Sequence, residues 1–155
     1  MLAALVSGTA LAATPAALLG SFQSWDAYAA GEGATRSCYV LSSPIRVDKP
    51  GSIQRGAAYF LIKWQGEPSL IEGANFQPGS IVKILVDDQR FAMFTQGDGA
   101  WVKDPADEKR LFAAMRGGAN MVAQGQLGPD GLTVVDHYSL RGLSAALTKA
   151  EQACR

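Results

Sequence analysis

The sequence predicts an antiparallel β-sandwich or barrel-like domain closed by two helices. Three observations support this. Short stretches carry apolar residues that alternate with period two, and Gly-, Pro- and Asp-rich turns separate them at close intervals. Only two stretches have helical periodicity, the second at the C-terminus. With 155 residues, 48% of them hydrophobic and 18% charged, the chain suffices for one domain with its own core and is too short for two.

Residues 1–13, MLAALVSGTALAA, read as a signal peptide. They are apolar and small, and Ala10-Leu11-Ala12 has the small-x-small form of a cleavage site. The basic n-region is missing, and the first charged residue is Asp26. The mature domain is then 14–155. No later stretch reaches the roughly eighteen apolar residues of a membrane span.

Phe22 to Tyr28 and Ser37 to Leu41 read as strands separated by the flexible loop AAGEGATR. Ser42 to Gly56 holds two prolines and two glycines with no period, and reads as a long surface connection. AAYFLIKW alternates, with Phe60, Ile62 and Trp64 on one face. Pro78-Gly79 suits a type II turn. SIVKILVDDQRFAMFTQ is a hairpin with Val82, Ile84 and Val86 on one face, a turn at Asp87-Asp88, then Phe91, Met93 and Thr95. QGDGAW turns tightly before Trp101. NMVAQGQLGPDGLTVVDHYSL is a further hairpin, closed by Gly128-Pro129-Asp130-Gly131.

The first helix lies in KDPADEKRLFAAMRGG. Asp104 suits its N-cap, Pro105 its first position, Asp107 and Glu108 the positive dipole end, and Gly117 its terminus; Leu111, Phe112 and Met115 form its apolar stripe. In the last segment Leu140, Leu143, Leu147, Ala150 and Cys154 step by three and four, placing all five on one inward face.

Cys38 and Cys154 are the only cysteines, one on a strand bordering the core and one on that helix face. In the oxidising compartment the leader implies, they are expected to form a structural disulfide closing a loop of 116 residues. Such a loop is worth about 4–5 kcal/mol in the chain-entropy model. The spacing fits neither a CxxC redox motif nor a zinc site.

Little catalytic chemistry is visible. Fourteen basic and fourteen acidic side chains are interspersed and cancel, so the electrostatic footprint of a nucleic-acid binder is missing. The lone His137 follows Asp136, but neighbouring strand residues face opposite ways. His137 reads as a surface residue without a role. Asp136 shares a face with Val134 and Tyr138 and reads as a structural hydrogen-bonding group that caps a backbone amide. Nucleophile-elbow, phosphate-loop and zincin motifs are absent. Asp98 and Asp104 leave the other positions of a calcium loop unfilled. No catalytic residue, metal or cofactor is assigned. Of Trp25, Trp64 and Trp101, at least two are expected in the core.

Four segments together resemble the invasion-associated locus B family, exported proteins of Gram-negative bacteria. They are CYVLSSP, FAMFTQGDGAWVKD, LFAAMRGGANMVAQGQ and DHYSLRGLSAAL with its terminal AC. The most specific parts are the blocks Phe94 to Trp101 and Asp136 to Gly142; the hairpin tip LGPDG departs from the family pattern. The resemblance implies an immunoglobulin-like β-sandwich, a periplasmic or outer-membrane-associated location and no known enzymatic activity, and its two cysteines fall on Cys38 and Cys154. The expected role is non-catalytic binding of an envelope or host macromolecule. Asp98, Trp101 and Lys103 are the candidate interaction loop, with Ser42 to Gly56 as a second. Two other classes remain open. A small-ligand or polysaccharide binder needs Trp64 or Trp101 exposed in a concave face. An enzyme needs convergent carboxylates of shifted pKa, such as Asp98 with Asp104 or Glu72.

Overall fold

The structure is a computed structural model that describes residues 15–155; the expected leader, residues 1–13, lies outside the described residues. Eleven strands and two helices follow in order: β1 (Ala17–Phe22), β2 (Trp25–Ala30), β3 (Ser37–Ser42), β4 (Arg46–Asp48), β5 (Tyr59–Lys63), β6 (Pro68–Ile71), β7 (Ile81–Val86), β8 (Gln89–Gln96), β9 (Gly99–Trp101), α1 (Pro105–Gly117), β10 (Asn120–Leu127), β11 (Leu132–Ser139) and α2 (Leu143–Cys154). All strand pairs are antiparallel, in the order β1-β2-β3-β5-β6-β9-β8-β7-β10-β11-β4.

The two layers of the sandwich are halves of one continuous sheet doubled over on itself. Phe60 of β5 meets Tyr138 of β11 edge to face at 5.8 Å, although five strands lie between them in the sheet. The indole Nε1 of Trp25 on β2 donates to the Ser139 carbonyl at 2.9 Å. Inward residues of both halves, among them Val40, Phe60, Leu70, Ile84, Met121 and Val134, form one core. Burying the apolar alternates of every strand against each other is what the period-two pattern requires.

The first helix begins as the sequence indicates, whereas the second starts at Leu143, one turn later than a helical face that included Leu140. The Asp104 carboxylate accepts from the amides of Ala106 (2.7 Å) and Asp107 (3.3 Å) at the start of α1. On α2, Leu143, Ala146, Leu147 and Ala150 are buried against β1, β2 and β3, and Leu140, also buried, lies just before the helix. Cys38 and Cys154 are disulfide-bonded, with Cα atoms 5.9 Å apart. The type II turn forms, with Gly79 at φ 76° and the Ser80 amide donating to the Gln77 carbonyl at 3.1 Å.

Two sequence expectations need correction. Phe22 to Tyr28 is not one strand: Gln23 (φ 53°) and Ser24 turn the chain, and Phe22 pairs with Trp25. The Ser42 to Gly56 stretch is not only a surface connection. It contributes β4 to the edge beside β11 and buries Ile53 and the Arg55 side chain.

Candidate interaction surface

The β8–β9 hairpin places the residues singled out in the sequence. Gly97 (φ 59°) and Asp98 form a two-residue turn between the paired Gln96 and Gly99, with glycine at the position that needs positive φ. The turn is tied down by its backbone: the Glu72 amide donates to the Asp98 carbonyl and the Phe76 amide to the Gly97 carbonyl, both at 2.8 Å. The Asp98 side chain is exposed at this turn, Trp101 lies on the outer sheet face, and Lys103 is exposed just before α1. The three belong to one segment but to three different surroundings.

Trp101 lies flat. A Cβ added at Gly99 would run into the Trp101 ring, so the indole covers the bare backbone of Gly99 and turns its other face outward. Phe94 sits beside it, ring centroids 5.9 Å apart.

Strand pairing extends this pair into a row. Ile81 faces Phe94, Phe94 faces Trp101, Trp101 faces Ser69, Ser69 faces Leu61, and Leu61 faces Leu41. Residues directly opposite point to the same side of a sheet. Six strands therefore contribute to an uncharged, mainly apolar row on the outer face, ending at Asp26 opposite Leu41. Phe94 is 40% and Ile81 52% exposed. Tyr28 and Tyr39, stacked at 5.5 Å, flank it on β2 and β3; burial and the neighbouring Tyr28 and Tyr59 raise the Tyr39 hydroxyl above its ordinary pKa.

Of the other tryptophans, Trp25 is fully buried and Trp64 half-buried, so only one of the three is wholly core. Trp64 lines a cleft of about 400 Å³ between the β5–β6 turn and the two helices.

A buried ionic cluster bridges the layers. Arg55 donates through Nη1 to Asp136 Oδ2 (2.9 Å) and through Nη2 to Asp136 Oδ1 (2.7 Å), and Nη1 also donates to Glu72 Oε1. Their side chains are 7%, 1% and 3% exposed for Arg55, Asp136 and Glu72. Burial first, then the charge of Asp136, pushes the Glu72 carboxyl up to about 8, against the pull of Arg55. The rise favours the neutral form of Glu72, which relieves the crowding of two carboxylates around one guanidinium. The bidentate bond to Asp136 holds Arg55 above its ordinary value. Burial also raises the Tyr138 hydroxyl, which has no hydrogen-bond partner among the described residues.

Asp136 therefore pairs with a guanidinium instead of capping a backbone amide. Glu72 converges with Asp136, not with Asp98; Asp104 is occupied as the α1 cap. The three side chains are almost wholly enclosed and point into the core. Arg55 was missed because its stretch has no period. The available signal was Asp136 itself, since a carboxylate on the inward face of a strand requires a partner cation.

His137 also has a role that sequence reading denied it. Its Nε2 lies 2.9 Å from both Asp48 Oδ2 and Arg46 Nη2, pinning β4 to β11. The bond to His137 lowers the Asp48 pKa. Among the described residues no group of three or more His, Cys, Asp or Glu is arranged to hold a metal, and no helix is long and apolar enough to cross a membrane.

The family model for invasion associated locus B (IalB) protein matches residues 69–151, more than half of the chain. The chain belongs to the IalB family. The match takes in Glu72, Trp101, α1, Asp136 and most of α2. Among solved structures, the crystal structure of invasion associated protein b from Bartonella henselae is similar at TM-score 0.58 and 14% identity. The match covers 87% of this chain and 95% of that one. At that identity the likeness shows a shared IalB fold. No curated protein matches the chain.

Proposed function

We propose that this IalB-family chain is an exported, non-catalytic envelope protein that binds another macromolecule through the outer sheet face around Trp101. The observation that carries the reading is the uncharged row Leu41–Leu61–Ser69–Trp101–Phe94–Ile81. A contiguous apolar strip with a polar border is a feature of association surfaces, and aromatic residues supply most of their binding energy. Export is supported by the leader-like residues 1–13 and by a disulfide, which persists in oxidising compartments such as the periplasm. Lack of catalysis is supported by the closure of Arg55, Glu72 and Asp136. Family membership directs the search for the partner to envelope and host-cell components, with a role in host-cell interaction or invasion.

The test is photo-crosslinking in the native envelope. A photoreactive residue replaces Phe94 or Ile81 in the full chain, with Ser144 on the exposed side of α2 as the control position. Macromolecular adducts at the first two positions, absent at the third and lost with Trp101→Ala, are expected. Equal labelling at all three positions, or a cytoplasmic protein with free thiols, would overturn the reading.

A further inference from the structure

The cleft beside Trp64 is separate from the outer sheet face. Three elements build it: the β5–β6 turn supplies Trp64 and Gln65, α1 supplies Phe112 and Arg116, and α2 supplies Thr148 and Glu151. Its volume, about 400 Å³, lies in the range of small-molecule sites.

The walls are fixed from behind. Gly66 (φ 97°) brings turn backbone onto the Phe112 ring, to which a Cβ would stand only 3.3 Å away. The Arg116 guanidinium lies 5.7 Å from the centroid of the same ring. The Trp64 amide donates to the Cys38 carbonyl at 3.1 Å, and Cys38 is bonded to Cys154 at the end of α2. One residue, Cys38, therefore ties the backbone behind the indole wall to the end of the helical wall.

The polar groups are suited to a ligand rich in hydroxyls. Thr148 uses its hydroxyl proton on the Ser144 carbonyl (3.0 Å) and keeps its oxygen as an acceptor. Glu151 is paired with Arg155 at 2.7 Å and retains further acceptor positions. Gln65 offers both a donor and an acceptor. Arg116 forms no salt bridge among the described residues. An apolar ligand would leave these groups unpaired, and an inorganic anion would leave Trp64 unused. A pyranose ring has a C–H face for the indole and hydroxyls at its edge. A carboxylate on that ring would meet the unpaired guanidinium.

We propose that this cleft binds an acidic saccharide, with a ring against Trp64 and its carboxylate on Arg116. The probe is digalacturonate, compared with its neutral methyl ester. The intact oxidised chain is titrated by calorimetry and by fluorescence in a Trp101→Phe background, where Trp64 is the one indole that ligand can reach and the buried Trp25 supplies a constant signal. Saturable binding of the acid, weakened about tenfold by Arg116→Met and much less by Thr148→Val, is expected; the ester should bind weakly and equally to both Arg116 forms. Arg116 is exposed on α1, so its replacement leaves the fold intact, as circular dichroism will verify. The proposal is overturned by no binding at about 10 mM, by acid binding indifferent to Arg116→Met, or by acid binding present with Trp101 and lost in the Trp101→Phe background.

Discussion

The α-carbon of Gly142 sits against the carbonyl oxygen of Phe22. A Cβ on residue 142 would overlap that oxygen, and φ at Gly142 is 92°. Ser24, two residues on, donates its amide to the neighbouring Arg141 carbonyl at 3.2 Å. The entrance to α2 is thus threaded under the β1–β2 turn. This gives a physical reason for glycine at the end of the D-x-YSL-x-G block. Gly142→Ala is expected to cost at least about 2 kcal/mol of folding stability, read from urea unfolding. A change within about 0.5 kcal/mol would show that the two segments separate freely.

Arg55 neutralises a charge that the core cannot leave alone. Arg55→Met should destabilise by about 3–5 kcal/mol, because the Asp136 carboxylate stays buried. Replacing the cluster together, with Arg55→Met, Glu72→Leu and Asp136→Leu, should restore most of that loss. A triple variant no better than Arg55→Met would mean that the cluster positions the 42–56 segment beyond neutralising its own charge. Comparing the two by chemical denaturation decides it.

Glu72 gives stability a pH dependence with a definite sign. Its folded pKa, about 8, lies above its ordinary 4.5, so the folded chain holds a proton that the unfolded chain releases. Stability should therefore fall as pH rises from about 4.5 to about 8 and level off above that. Glu72→Gln should flatten this slope. Melting temperatures across the same range measure it, and parallel curves for the two proteins would show that Glu72 is not the titrating group.

The disulfide closes a sequence separation of 116 residues. Replacing Cys38 and Cys154 with alanine should lower stability by up to about 4–5 kcal/mol, mainly by enlarging the unfolded ensemble. Urea midpoints of the oxidised chain and the double variant test this. Coincident midpoints would mean that packing of Leu143, Ala146 and Leu147 alone holds α2 in place.

Sequence reading succeeded where a local rule is sufficient. Alternation in 81–96 and 120–139, the Asp104 cap and the inward helical face ending at Cys154 all specify their own surroundings. It failed where a distant partner decides. Pro68–Ile71 is a four-residue strand because β5 and β9 pair with it, and Arg46–Asp48 is a strand because β11 does. Arg55 is buried because Glu72 and Asp136 await it. The surface was legible only in part. Trp101 could be singled out, but its neighbours Phe94, Ser69, Leu61 and Leu41 become a row only through pairing across the sheet.

The order in which residues leave the ribosome gives the last helix another significance. β1, β2 and β3 emerge first, yet all three pack against α2, the last helix, to which Cys38 of β3 is bonded. The first strands to be synthesised thus wait for the last. Until α2 has emerged their apolar side lacks part of its native cover, so this domain completes its fold only once that helix is available.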